Sequence, residues 1–218
     1  AVPLAIIICL AGLTWVATHR LEPYDDLKRI SEDTQIDPNV TPLEVQVVAM
    51  DWKWLFLYPE FGIATVNEAA AIVDRPVEWK ITSATVMNAF YIPEMAGMIY
   101  AMAGMQTELN AVINAPGVYE GFSANYSGNG FSDMRFDFHA LDEAGFEAWV
   151  KEVKDAPNTL DQHSYTELQV PTTAHDVTYF GTTEDGIWDK ILNMCAGTNE
   201  LCLNDMKMVD ALGGGGLD

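Results

Sequence analysis

The residues best placed for chemistry lie at 121–138, reading GFSANYSGNGFSDMRFDF. This stretch falls late in a run of alternating segments, just before a last strand expected at 134–140. Loops in that position of a small β-barrel or sandwich often carry a metal. Ser123, Asn125, Ser127, Phe131 and Met134 have the regular spacing of a ligand set. Soft metals require thiolate, imidazole or thioether donors, and of these five side chains only that of Met134 qualifies. Ser123 and Ser127 could be nucleophiles only in isolation, because no matched base stands nearby in the sequence.

The remaining reactive residue types are scattered. His19, His139, His163 and His175 pair with neither Cys nor Glu at ligand spacing, and each reads as a surface residue. There is no CxxC, so a structural zinc is not expected. The nucleophile elbow, the P-loop and the dinucleotide fingerprint are all missing. Cys9 sits in an apolar run as a small core or lipid-facing residue. Cys195 and Cys202 are close enough to pair in an oxidising compartment. The string MAGMIYAMAGM places Met95, Met98, Met102 and Met105 together. Thioethers could hold cuprous ion, but adaptable packing or contact with a partner subunit is the plainer reading.

Several short segments must position the loop. Residues 43–49 alternate, with Leu43, Val45, Val47 and Ala49 on one face. From Trp52 the phase flips to Trp52, Trp54, Phe56 and Tyr58. A one-residue slip sends side chains to the other face, so a bulge or strand switch is expected near Met50–Asp51. Further strands are expected at 76–83 with Val77, Trp79 and Ile81 inward, at 88–92, at 107–113 and at 118–124. Seven or eight short strands with turns between them make a mainly β sandwich or barrel. After Ala140 the period becomes helical, with Phe146, Trp149, Val150 and Val153 on one stripe. A single helical turn is expected at 164–168 and a second helix at 185–195.

The 32 acidic and 11 basic residues give a net charge of −21. A polyanion gains nothing from such a surface, so nucleic acid is excluded as a partner. The charge would repel anionic lipid headgroups and could attract a basic protein, although a generically acidic soluble face explains it equally. Residues 1–16 carry no charge. At 1.5 Å per residue they span about 24 Å, short of the hydrocarbon core of a bilayer. A signal-peptide core, a buried helix and the outer part of a transmembrane helix compete. The run opens apolar and without Met, and it ends at Trp15, His19 and Arg20, which is interfacial-anchor chemistry. A truncated transmembrane helix over 1–18 is therefore expected, followed by a linker at 19–42.

Counted back from Met134, the loop resembles the dinuclear copper loop of cytochrome c oxidase subunit II, Cys-x-Glu-x-Cys-x-x-x-His-x-x-Met. Ser123, Asn125, Ser127 and Phe131 stand at the lost ligand positions and Met134 is retained. The family's earlier histidine ligand falls in VMNAF, at Asn88. With DWKWLFLYPE, GIATVNE, IYAMAGMQT and TWVATHRLEP, the chain resembles subunit II of the cytochrome bo-type ubiquinol oxidases, which keep the frame without the copper.

The resemblance implies a cupredoxin-like Greek-key β-sandwich over 43–140. It also implies a C-terminal helical, aromatic-rich extension over 141–195; beyond the resemblance, the glycine-rich end makes 196–218 read as a flexible tail. It implies a non-catalytic subunit of a proton-translocating quinol:oxygen oxidoreductase in the bacterial plasma membrane, with the soluble domain on the periplasmic side. No catalytic, cofactor-binding or metal residue is then expected in this chain. Haem and copper would belong to partner subunit I, ubiquinol would be the substrate of the complex, and subunits III and IV and membrane lipid would be further partners. The alternatives are a cytochrome c oxidase subunit II, which the donor set opposes, and a periplasmic copper-binding module using the methionines.

Overall fold

The computed structural model describes residues 2–20, 27, 30, 34–36, 39–197 and 202–211. Most of the expected linker and the four-glycine run at 213–216 lie outside them. Helix α1, Val2–Arg20, has no buried residue and is long and apolar enough to cross a membrane. Its length is about 28 Å, because the helix continues past the uncharged run to His19 and Arg20.

Ten strands follow: β1 (Leu43–Met50), β2 (Lys53–Tyr58), β3 (Ile63–Val66), β4 (Glu68–Ile72), β5 (Val77–Ser83), β6 (Asn88–Tyr91), β7 (Ile99–Ala101), β8 (Thr107–Ala111), β9 (Gly117–Ser123) and β10 (Arg135–Leu141). They form two facing sheets. One orders its strands β3-β2-β1-β5-β8 and the other β4-β10-β9-β6-β7. The phase flip at Met50–Asp51 is neither a bulge nor a strand switch. Met50 pairs with Lys53, so Asp51 and Trp52 are the two-residue turn of an antiparallel hairpin, and each strand keeps its own phase. Trp52 takes φ 65° at that turn. The strand boundary inside GIATVNEAA carries no Gly or Pro. It is Asn67, at φ 58°, that sends the chain from one sheet to the other.

The inter-sheet core is aromatic. Trp54, Phe56, Trp79, Phe90 and Phe136 pack with ring centroids 4.9–6.5 Å apart, mostly edge to face, which suits the ring quadrupoles. Phe136 lies directly over Gly121 on the paired strand, where a Cβ would come within 2.0 Å of the ring. The Tyr58 hydroxyl accepts from Ala70 N at 2.8 Å and donates to Ala70 O at 3.0 Å, tying β2 to β4 across the core.

The C-terminal region begins with α2, Glu143–Lys154, capped by the Asp142 side chain on Gly145 N. It buries Phe146, Trp149, Val150 and Val153, the stripe expected from the sequence. Next come β11 (Thr159–Leu160), α3 (Gln162–Leu168), β12 (Thr178–Phe180), β13 (Thr182–Thr183), α4 (Ile187–Leu192) and α5 (Leu203–Ala211). The helix α3 exceeds the expected single turn because Asp161 and Ser164 form a capping box. By contrast, α4 is shorter than the expected 185–195, since Met194 takes φ 56°. Strand β12 pairs with β3 and extends the first sheet to six strands. Helix α5 lies in the stretch read as a flexible tail. It is fastened by a Cys195–Cys202 disulfide and by Leu203 N donating to Asn193 O.

The extension covers the outer face of the first sheet. Val48, Met50, Leu55, Leu57, Ala64 and Val66 meet Leu160, Tyr165, Leu168, Phe180, Ile187 and Ile191 in a second apolar core. This is why every residue of β2 is buried, on both phases. Lys53 lies on this face too. It is 1% exposed, and its amine donates to Val170 O at 2.9 Å.

Candidate functional site

The loop at 124–134 closes one end of the sandwich, where β9 ends, β10 and β6 begin, and the β1–β2 hairpin turns. Asn88 is the first residue of β6 and Ser123 the last of β9, both buried. The Ser123 hydroxyl lies 3.2 Å from Asn88 Oδ1 and 3.2 Å from Asn125 O. Asn88 Nδ2 donates to Val86 O at 3.0 Å, and Asn125 Nδ2 to Met87 O at 3.1 Å. Three of the sequence-derived positions thus hold one another and the 86–87 backbone directly.

The other three positions are held separately. Ser127 O accepts from Trp52 Nε1 at 3.2 Å, while its buried hydroxyl has no partner among the described residues. Phe131 turns to the Tyr126 ring, 5.6 Å away, at the start of a single 3-10 turn. Met134 is fully buried in the inter-sheet core, and its carbonyl accepts from Ser123 N at 3.2 Å.

Sequence reasoning missed the part that Trp52 plays in this loop. Its indole lies flat on Gly128 and Gly130. A Cβ on Gly130 would come within 2.4 Å of the ring, and one on Gly128 within 3.1 Å. The paired glycines of SGNG were the signal for a close approach, but nothing local pointed to the hairpin tryptophan as the neighbour.

The donor set is amide, hydroxyl, ring and a single thioether. Such groups do not fit a soft metal, which calls for thiolate or imidazole. Among the described residues no group of three or more His, Cys, Asp or Glu is placed to hold a metal ion. The histidines lie elsewhere. His139 on β10 faces Glu68 at 3.5 Å, His163 stands 3.8 Å from Glu167, and His175 Nδ1 is 2.7 Å from Asp176 O. Met98 and Met105 are exposed on the 95–105 stretch, whereas Met95 and Met102 are half-buried.

A family profile described as the COX Aromatic Rich Motif matches residues 154–199. These residues include most of the segment that covers the outer face of the first sheet. The periplasmic domain of subunit II of cytochrome oxidase (CoxB) of Bradyrhizobium japonicum superposes with a TM-score of 0.50 at 20% identity. The match covers 54% of this chain and 96% of that one. This likeness concerns the fold alone, and it bears out the cupredoxin-like sandwich. The cytochrome bo(3) ubiquinol oxidase subunit 2 of Pseudomonas aeruginosa is 48% identical over 191 residues, which is 88% of this chain and 55% of that protein. The protein of the same name from Buchnera aphidicola subsp. Schizaphis graminum is 38% identical over 202 residues, 92% of this chain and 67% of that protein. The chain therefore spans about half to two thirds of the length of these relatives. On that extent of identity, together with the sandwich and its aromatic-rich extension, the chain belongs to the family of subunit 2 of the ubiquinol oxidases.

Proposed function

We propose that this chain is the non-catalytic subunit II of a membrane terminal oxidase complex that oxidises ubiquinol, reduces oxygen to water and translocates protons. Helix α1 would anchor it in the plasma membrane, with the sandwich and its extension on the periplasmic side. Haem and copper would reside in partner subunit I, with subunits III and IV completing the complex. The observation that carries this reading is the donor set at the loop. Asn88, Ser123, Ser127 and Phe131 occupy the positions where a dinuclear copper centre would need imidazoles and thiolates, Asn125 stands at its glutamate position, and only Met134 remains. The Asn88 and Ser123 side chains bond each other, and Ser123 and Asn125 bond nearby backbone, which supports a loop that would need no metal to close. Electrons would then enter from membrane quinol at subunit I rather than through this domain.

The test is to purify the native complex, identify the chains that come with this one, and measure oxygen uptake with ubiquinol and with reduced cytochrome c. Rapid turnover with quinol, near inertness with cytochrome c and no stoichiometric copper in this chain are expected. Bound copper in this chain, or equal turnover with cytochrome c, would overturn the proposal.

A further inference from the structure

One carboxylate joins the sandwich to the extension. Glu68 opens β4 directly after the Asn67 turn, and its side chain is 13% exposed. Its Oε1 accepts from Trp149 Nε1 of α2 at 2.7 Å and from the Tyr179 hydroxyl of β12 at 2.6 Å. Its Oε2 lies 3.5 Å from His139 Nε2 of β10. Four elements meet at this group. A carboxylate is an acceptor only, and hydrogen bonds to a charged acceptor are the stronger kind.

The groups that touch Glu68 can donate hydrogen bonds to its oxygens. Burial, and then the bond to Glu68, push the Tyr179 hydroxyl well above the usual tyrosine range, so it keeps its proton and remains a donor. Tyr58 of β2 also stands within the electrostatic reach of Glu68 and also stays protonated. Glu152 of α2 places a further negative charge near Tyr179. Among the described residues His139 is the basic group placed at Glu68, and when protonated it completes an ion pair, while Asp137 of β10, level with Glu68, adds a like charge beside it. The Trp149 indole on Oε1 can only donate, which favours Oε2, facing His139, as the oxygen that takes a proton. Such a proton weakens Oε1 as an acceptor and removes the ion pair.

The segment between α3 and β12 shares the same anchorage. Asn67, beside Glu68, donates from Nδ2 to His175 O at 2.8 Å, and Lys53 holds Val170 O. Between these points the segment has no regular structure, and Val170 and Val177 are exposed. Beyond it, β12 is a three-residue edge strand. Of the elements that meet at Glu68, this one has the fewest backbone bonds of its own.

We propose that Glu68 is a latch. Ionised, it fixes β12 and α2 on the sandwich; neutralised, it releases β12 and the 169–177 segment while the two-sheet core stays folded. The latch makes the extension an opening unit of lower stability than the sandwich, a local rather than a global transition.

Amide exchange on the full chain, read by segment, tests this. Glu68→Gln keeps the shape and removes the charge. Exchange at Thr178–Phe180 should rise about tenfold, as loss of one charge-assisted bond implies, with β1 and β5 unchanged. Tyr179→Phe should give a smaller rise confined to β12 and add nothing in the Glu68→Gln background. In the parent protein, lowering the pH should reduce the protection of β12, taken relative to the intrinsic exchange rate at each pH, before that of β1, and Glu68→Gln should abolish that acid-dependent difference. Unchanged β12 exchange, equal acceleration of β12 and β1, or additive effects of the two substitutions would each overturn the proposal. Tyr179→Phe by itself decides the matter if Glu68→Gln is not obtained, because an unaltered β12 in that variant also overturns it.

Discussion

The two faces of the six-stranded sheet are built from different materials. The face that looks into the sandwich carries Trp54, Phe56, Tyr58 and Trp79, packed on Phe90, Phe136 and Phe138 of the opposite sheet. The outer face carries Val48, Met50, Leu55, Leu57, Ala64 and Val66, with Lys53 among them. The inner core is sealed by strands that pair within 43–141 and by Phe146, Trp149, Val150 and Val153 of α2. The outer core is sealed only when residues from 160 onward fold back over it. Large rings fill the space between two sheets that hold each other at a fixed spacing. Aliphatic side chains suit a cover of short helices and irregular chain, which must adapt to the sheet beneath. The inner core therefore needs only the sandwich and α2, whereas the outer core is conditional on residues from 160 onward.

The largest test of this contrast is to remove the cover. A chain lacking 158–218 should keep its β-rich circular dichroism but self-associate more than the full chain, because the outer leucines and the β3 edge become exposed. Light scattering checks this, and a monomer of unchanged melting temperature would contradict the two-core description. Point substitutions follow in size. Phe90→Ala should cost about 3–5 kcal/mol and melt sandwich and extension together. Ile187→Ala should cost about 2–4 kcal/mol and accelerate exchange chiefly in 158–196. Denaturant melts and segment-resolved exchange separate the two cases. Equal spread of both effects over the whole chain would erase the distinction.

The disulfide comes next. Replacing Cys195 and Cys202 with serine should destabilise by about 2–3 kcal/mol, felt at α4 and α5 and not at β1. A loss of protection in β1 equal to that in α5 would mean that the bridge supports the inner core as well.

The smallest effects concern the ionisable groups that each core buries. Desolvation lowers the Lys53 pKa, opposed by Asp51. Its folded-state value lies below its unfolded one, so stability should rise as pH climbs through the lowered value toward about 10.4. Lys53→Met should abolish that rise and change neutral-pH stability by about 1 kcal/mol or less, in either direction. Burial raises the Tyr58 pKa in the inner core, the Ala70 bond opposing and Glu68 adding to the rise. Its contribution is present in full below about pH 10 and is lost above it. Tyr58→Phe should flatten that alkaline limb. Melts from pH 7 to 11 on both variants show whether the limbs belong to these residues, and an unaltered alkaline limb in Tyr58→Phe would refute the assignment.

Much of the frame was legible in advance because alternation is a local signal. Leu43, Val45, Val47, Val77, Trp79 and Ile81 face inward as their period requires, and Phe146, Trp149, Val150 and Val153 form the expected helical stripe. Where the reading failed, the cause was a partner remote in sequence. The phase break at Met50–Asp51 was a hairpin turn, and Leu55 and Leu57 are buried because the extension covers them. Strand β12 has too short a run to announce itself, and its partner β3 lies more than a hundred residues earlier. At the loop the spacing of Ser123, Asn125, Ser127, Phe131 and Met134 was readable, as was the poverty of soft donors. The clamp of Trp52 over Gly130 was not.

Residue patterns alone were enough for a mainly β sandwich or barrel, for the apolar N-terminal helix and for the chemistry that the loop can offer. These follow from residue type and from periods of two or about three and a half residues, which need no distant partner. Only the tertiary structure decided that the outer face of the sheet is a second core, that Lys53 is buried within it, and that Glu68 gathers Trp149, Tyr179 and His139. Burial on a sheet's second face and the pairing of a carboxylate depend on what arrives from elsewhere in the chain, and no local pattern records that arrival.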